Sequence, residues 1–68
     1  MPRVATKSVV VPIERATRRA ITKQVNAAIC QLQLADEFVH DEEPAQARVH
    51  FKAAQEAIAE GARLLKGL

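Results

Sequence analysis

The chain contains no Trp and no Tyr, and Phe38 and Phe51 are its only phenylalanines. Stacking on nucleic-acid bases needs aromatic faces, and none lies among the basic residues. Cys30 is the single cysteine, so no disulfide can close within the chain. A lone thiol suits a reducing, cytosolic compartment. Gly61 and Gly67 are the only glycines, and Ser8 is the only serine. No glycine-rich phosphate loop can be assembled from them. Long apolar runs are also missing. Val9, Val10 and Val11 form a patch too short for a signal-peptide core. No segment approaches the roughly 20 apolar residues that span a bilayer, so no membrane partner is expected.

What remains is short, apolar and rich in alanine. Sixty-eight residues make at most one domain. Such a chain buries only about 60% of its unfolded surface, which leaves a marginal core. Small folds compensate with disulfides, a metal or a partner chain. Pairing with a second copy is therefore expected. Hydrophobic residues make up 49% of the chain, too many for intrinsic disorder. Abundant alanine with little glycine or proline favours helix.

The predicted fold class is all-α, a two-helix antiparallel hairpin preceded by an extended arm. Residues 1–11 form the arm, where Thr6, Val9, Val10 and Val11 favour strand. Val9, Val10 and Val11 could pair with a sheet edge of a partner or with their own copy. Pro12 disfavours the α region for Val11 and suits a first helical turn. The first helix is predicted over 13–40, the turn over 41–44 and the second helix over 44–66. Asp41 is expected to cap the second helix. Lys66 suits its negative end, and Gly67 is expected to stop it in a left-handed conformation.

Each helix carries an apolar stripe that steps by four and three, the mark of one buried face. On the first helix the stripe is Ile21, Val25, Ala28, Leu32, Ala35 and Val39, widened by Ile29, Leu34 and Phe38. On the second it is Ala47, Phe51, Ala54, Ile58, Gly61, Leu65 and Leu68. These positions, Phe38 included, are the expected dimer or partner interface. The hairpins would then pair into a four-helix bundle. Ala53, Ala57 and Gly61 add a ridge of small residues at which another helix can approach closely.

Charge is sorted along the chain. Arg3, Lys7, Arg15, Arg18, Arg19 and Lys23 stand against Glu14 in residues 1–23. Asp36, Glu37, Asp41, Glu42 and Glu43 occupy residues 24–46, which hold no Lys or Arg. A hairpin would gather the acids at its turn. Arg15, Arg18, Arg19 and Lys23 would meet Arg63 and Lys66 at the open end, a candidate contact for anions or nucleic acid.

Little else carries chemistry. His40 and His50 flank the turn, but their spacing does not place two metal ligands on one helix face. No metal and no cofactor is expected. No histidine lies three or four residues from Cys30, which reads as a buried small hydrophobe. No catalytic residue emerges, and two helices leave little room for a pocket. An enzyme and a small-molecule substrate are not expected.

Leu34, Ala35 and Phe38, followed by Ala47, Phe51 and Ala54, give a pattern that resembles a single tetratricopeptide-type helical hairpin. The spacing of small and aromatic residues matches over about a third of the chain. Glu42 stands where that family commonly has Gly, and no second repeat follows. The resemblance implies a tight antiparallel hairpin and, by analogy, protein binding. The function expected is a small regulatory interaction protein, an inhibitor or adaptor of a larger protein. A nucleic-acid-binding regulator and a structural subunit are the alternatives.

Overall fold

A computed structural model describes residues 10–68. It contains two helices, α1 (Arg15–His40) and α2 (Pro44–Lys66), which lie against each other. Among the described residues there is no strand. Val10 and Val11 run ahead of α1 and are exposed. Val9 and the rest of the arm lie outside the described residues.

Helix α1 begins two residues later than the sequence predicts. Glu14, with φ −58° and ψ 146°, is still extended and serves as the N-cap. Its carbonyl accepts the first helical bond, from the Arg18 N–H at 2.8 Å. Pro12 therefore stays outside the first turn.

The turn is a Schellman closure, and it corrects the expected role of Asp41. Asp41 caps the C-terminus of α1 rather than the N-terminus of α2. The Glu42 N–H donates to the Val39 carbonyl at 3.0 Å, and the Glu43 N–H donates to Phe38 at 2.8 Å. These two bonds satisfy carbonyls that the helix end would leave orphaned. The motif needs one left-handed residue, and Glu42 supplies it at φ 60°. An L-residue held there costs about 1–2 kcal/mol. Glu42→Gly removes that strain, at some cost in unfolded-chain entropy. The variant is expected to gain about 1 kcal/mol, read as a higher urea midpoint at unchanged slope. A lower midpoint would mean the Glu42 side chain makes a contact worth more than the strain.

Helix α2 opens with Glu43 as N-cap, without a side-chain capping bond, and Pro44 in its first turn. Pro is tolerated there because first-turn N–H groups have no intrahelical acceptor. At the other end Gly67 is right-handed, φ −79° and ψ −3°, so the expected left-handed stop is not formed. The Leu68 N–H donates to the Leu65 carbonyl at 3.1 Å and closes the last turn instead.

The seam between the helices is built from small residues. On α1, Thr17, Ile21, Gln24, Ala28, Gln31, Ala35 and Phe38 step by four and three, and all are buried or half-buried. On α2, Ala47, His50, Ala54, Ala57, Gly61 and Leu64 do the same. Among the described residues the five buried side chains are Ala28, Ala35, Ala47, Ala54 and Ala57. Alanine contacts let two helix axes approach to about 8 Å, the near end of the usual range. The two glutamines and the histidine extend the seam as half-buried polar side chains. His50 Nδ1 lies 2.6 Å from Gln31 Oε1, and the His50 ring stacks on Phe38 at 5.3 Å between centroids.

Gly61 sits against Gln24. A Cβ at Gly61 would stand 3.6 Å from Gln24 Cβ, an ordinary van der Waals contact. Space therefore does not require glycine in the small-residue ridge. Gly61→Ala is expected to stabilise the chain by about 1 kcal/mol through helix propensity. A thermal midpoint that falls would show that the seam cannot accept even one methyl.

Candidate functional site: an apolar face on the hairpin

The seam takes a line of residues one position away from much of the expected stripes. This shift leaves the large apolar side chains outside. On α1, Arg18, Thr22, Val25, Ile29, Leu32, Asp36 and Val39 each follow a seam residue. On α2, Arg48, Phe51, Gln55, Ile58, Ala62 and Leu65 do. In an antiparallel pair these two lines border the same side of the seam. They form a front face that runs the length of the hairpin.

Seven large apolar residues stand on it. Val25, Ile29, Leu32, Val39, Phe51, Ile58 and Leu65 are each 41–55% exposed. Ala35 and Ala54, in the adjoining seam, are 0% and 1% exposed. Between the two lines lies a groove of about 380 Å³. Val25 and Ile29 form one wall, Ile58 and Leu65 the other, and Ala28, Ala57 and Gly61 the floor.

The back of the seam differs. Ala20, Leu34, Ala53 and Glu60 are half-buried there, and Val49 is its one exposed large apolar residue. Cys30 lies on this side and is exposed, which corrects the expectation of a buried thiol. The seam passes through Ala28 and Gln31 and leaves Cys30 beside it.

The expected interface residues thus divide in two. Ala28, Ala35, Ala47 and Ala54 are spent inside the hairpin, with Ile21, Phe38 and Gly61 half-buried beside them. Val25, Leu32, Phe51, Ile58 and Leu65 remain outward. The residues that carry the tetratricopeptide resemblance divide the same way: the three alanines are buried, Leu34 and Phe38 half-buried, and Phe51 exposed. Thr17, Gln24, Gln31, His50, Ala57 and Leu64 complete the seam and were not among the expected interface residues. Their heptad spacing was visible, but two glutamines and a histidine are not an apolar signal.

The hairpin brings the C-terminal end of α2 beside the N-terminal end of α1, and so Lys66 to the level of Arg15, Arg18 and Arg19. Arg15, Arg18, Arg19 and Thr22 surround a shallow depression of about 350 Å³. The Arg18 guanidinium donates to the Ile13 carbonyl at 3.4 Å. Arg63 is paired with Glu60 in its own helix. Its guanidinium donates to both oxygens of Glu60, at 2.9 and 2.5 Å. Those bonds hold the Glu60 carboxyl below its usual pKa. At the acidic end, His40 Nδ1 donates to the Asp36 carbonyl at 2.9 Å and stands 3.5 Å from the Asp36 carboxylate. The Asp36 carbonyl first, then the Asp36 carboxylate and Asp41, raise the His40 pKa above 6.5. Among the described residues no group of three His, Cys, Asp or Glu is placed to hold a metal ion. No helix among them is long and apolar enough to cross a membrane.

Comparison of the chain with protein-family models, with curated proteins and with solved structures finds no match.

Proposed function

We propose that this chain is a non-catalytic protein-interaction module, a small regulator that acts by binding a larger protein as an inhibitor or adaptor. In this reading its working unit is a homodimer, two hairpins joined into a four-helix bundle. The observation that carries it is the front face. Seven half-exposed large apolar residues in one continuous strip are more than a small soluble fold leaves to water. Finishing the burial of each is worth about 1 kcal/mol. A hairpin whose own core is five alanines has the most to gain from covering them. The bundle then keeps its charged ends and its outer flanks for the target.

Two measurements test this. Sedimentation equilibrium is expected to give about 15 kDa, twice the chain mass of 7.5 kDa. A folded 7.5 kDa species at micromolar concentration would remove the dimer. Capture from host lysate, split into nuclease-treated and untreated halves, tests the target. A stoichiometric protein retained after nuclease supports the regulator.

The depression among Arg15, Arg18 and Arg19 favours a second reading, contact with nucleic acid through the basic end. That reading requires binding that weakens steeply with salt and is lost when the three arginines are changed. Nucleic acid recovered without a protein partner would move the function there.

A further inference from the structure

The charge order along the hairpin selects how a second copy must lie on the front face. This inference rests on the homodimer proposed above and adds its orientation. We infer that the two hairpins pack front to front with their turns at opposite ends, about a two-fold axis that crosses α2 at Ile58 and α1 midway between Val25 and Ile29.

Two arrangements bring one front face onto another. In the first, the axis runs along the hairpin and both turns lie at the same end. Arg15, Arg18, Arg19 and Lys66 of both copies then crowd together, and so do Asp41, Glu42 and Glu43. Arg48 would gain Asp36 of the other copy, one attraction against many repulsions. In the second, the axis crosses the hairpin. Each basic end then meets the acidic turn of the other copy. Complementary potentials of this kind set orientation, and like charges set against each other penalise the alternative.

The front-face residues fit the crossed axis position by position. Gly61 faces Gln24 in the seam, so Ile58 stands level with the gap between Val25 and Ile29. One axis at that height serves both helices. On α2, Ile58 meets its own copy, Phe51 meets Leu65, and Gln55 meets Ala62. On α1, Val25 meets Ile29, Thr22 meets Leu32, and Arg18 meets Asp36. Ile58 falls on itself, Phe51 on Leu65 and Val25 on Ile29, all apolar on apolar; Leu32 and Ala62 fall on Thr22 and Gln55, Val39 comes level with Arg15 and Arg48 with Leu68, and the one basic residue of the α1 line falls on its one acidic residue. Nothing in the folding of a single hairpin requires that symmetry. The area also suffices. Two helices of about 35 Å, side by side at about 10 Å each, cover about 700 Å². A standard interface buries about 800 Å² per partner.

Arg18 and Asp36 are 18 residues apart on one straight helix, about 27 Å. They cannot touch within a chain, and this makes the test clean. Arg18→Asp and Asp36→Arg are each expected to weaken dimerisation about tenfold, because two symmetric pairs are reversed at once. Asp36 also contacts His40 in its own helix, so Arg18→Asp is the cleaner single change. The double variant Arg18→Asp, Asp36→Arg is expected to recover most of the parent affinity. A second probe uses the axis itself. With Cys30 changed to Ala, Ile58→Cys is expected to form a disulfide-linked dimer under mild oxidation, because only a residue on the axis meets itself. Phe51→Cys, off the axis, is expected to stay unlinked. A dimer whose double variant is weaker than either single variant, or in which position 58 does not link, overturns the orientation and leaves the homodimer standing. A parent protein that is monomeric overturns both.

Discussion

Ile58→Asp is expected to leave the chain monomeric at concentrations near the parent's dissociation constant and up to tens of times above it. Ile58 is 55% exposed in the hairpin, so the substitution does not touch the seam. In the proposed dimer it lies on the two-fold axis, where two carboxylates would face each other without a cation. Leaving an uncompensated buried charge costs about 3–5 kcal/mol. The dissociation constant should rise at least 100-fold, at about 1.4 kcal/mol for each factor of ten. Sedimentation equilibrium over a range of loading concentrations reads this directly. Val49→Asp is the matched control: it is 59% exposed on the back of the seam. Val49→Asp should leave the mass unchanged. The reverse result, pairing lost with Val49→Asp and kept with Ile58→Asp, would place the interface on the other side of the hairpin.

Ala35→Leu is expected to lower the thermal midpoint by about 10 °C. Ala35 is 0% exposed, in the seam near His50 and Phe38. Three added carbons have no space between helices that alanine holds close. Overpacking of this kind costs about 1–3 kcal/mol, and each kcal/mol moves a domain of this size by about 4–8 °C. The comparison must be made at equal chain concentration, because the proposed pairing would make the midpoint concentration-dependent. An unchanged midpoint would mean that the helices can part without loss, and that the seam is not the tight element of the fold.

Much of the fold was legible in the sequence, and the reasons are local. Asp41-Glu42-Glu43-Pro44 broke the helical pattern, and α2 begins at Pro44 as the break requires. The alternation of four and three marked both helices. Its phase was harder to read. Ile21, Val25, Leu32, Phe51, Ile58 and Leu65 carry most of the hydrophobicity, and a stripe weighted by hydrophobicity runs through them. The hairpin instead chose the line that carries the alanines, which shares Ile21 with that stripe, since close approach of two helices depends on small side chains. Gln24, Gln31 and His50 lie on that line and mask it. Gly67 shows the opposite limit: a glycine in the right place permits a left-handed residue but does not compel one. Glu42 adopts that conformation because two backbone bonds hold it there. The front face was legible only as an excess of apolar residues. Which of them stay outside depends on the phase of the seam, a tertiary property.

The alanine seam also bears on how much of this protein a cell can keep. The buried side chains of the seam are all alanines, which return little apolar burial against the conformational entropy of ordering the chain. Helical bonds narrow that gap without giving a lone hairpin a comfortable margin. If the hairpins pair as proposed, an unpaired copy opens more often and lies more within reach of proteases. On that proposal newly made chains survive in proportion to the chance of meeting another, and abundance climbs steeply once a threshold of synthesis is crossed. Below that threshold the protein would be cleared almost as fast as it is made.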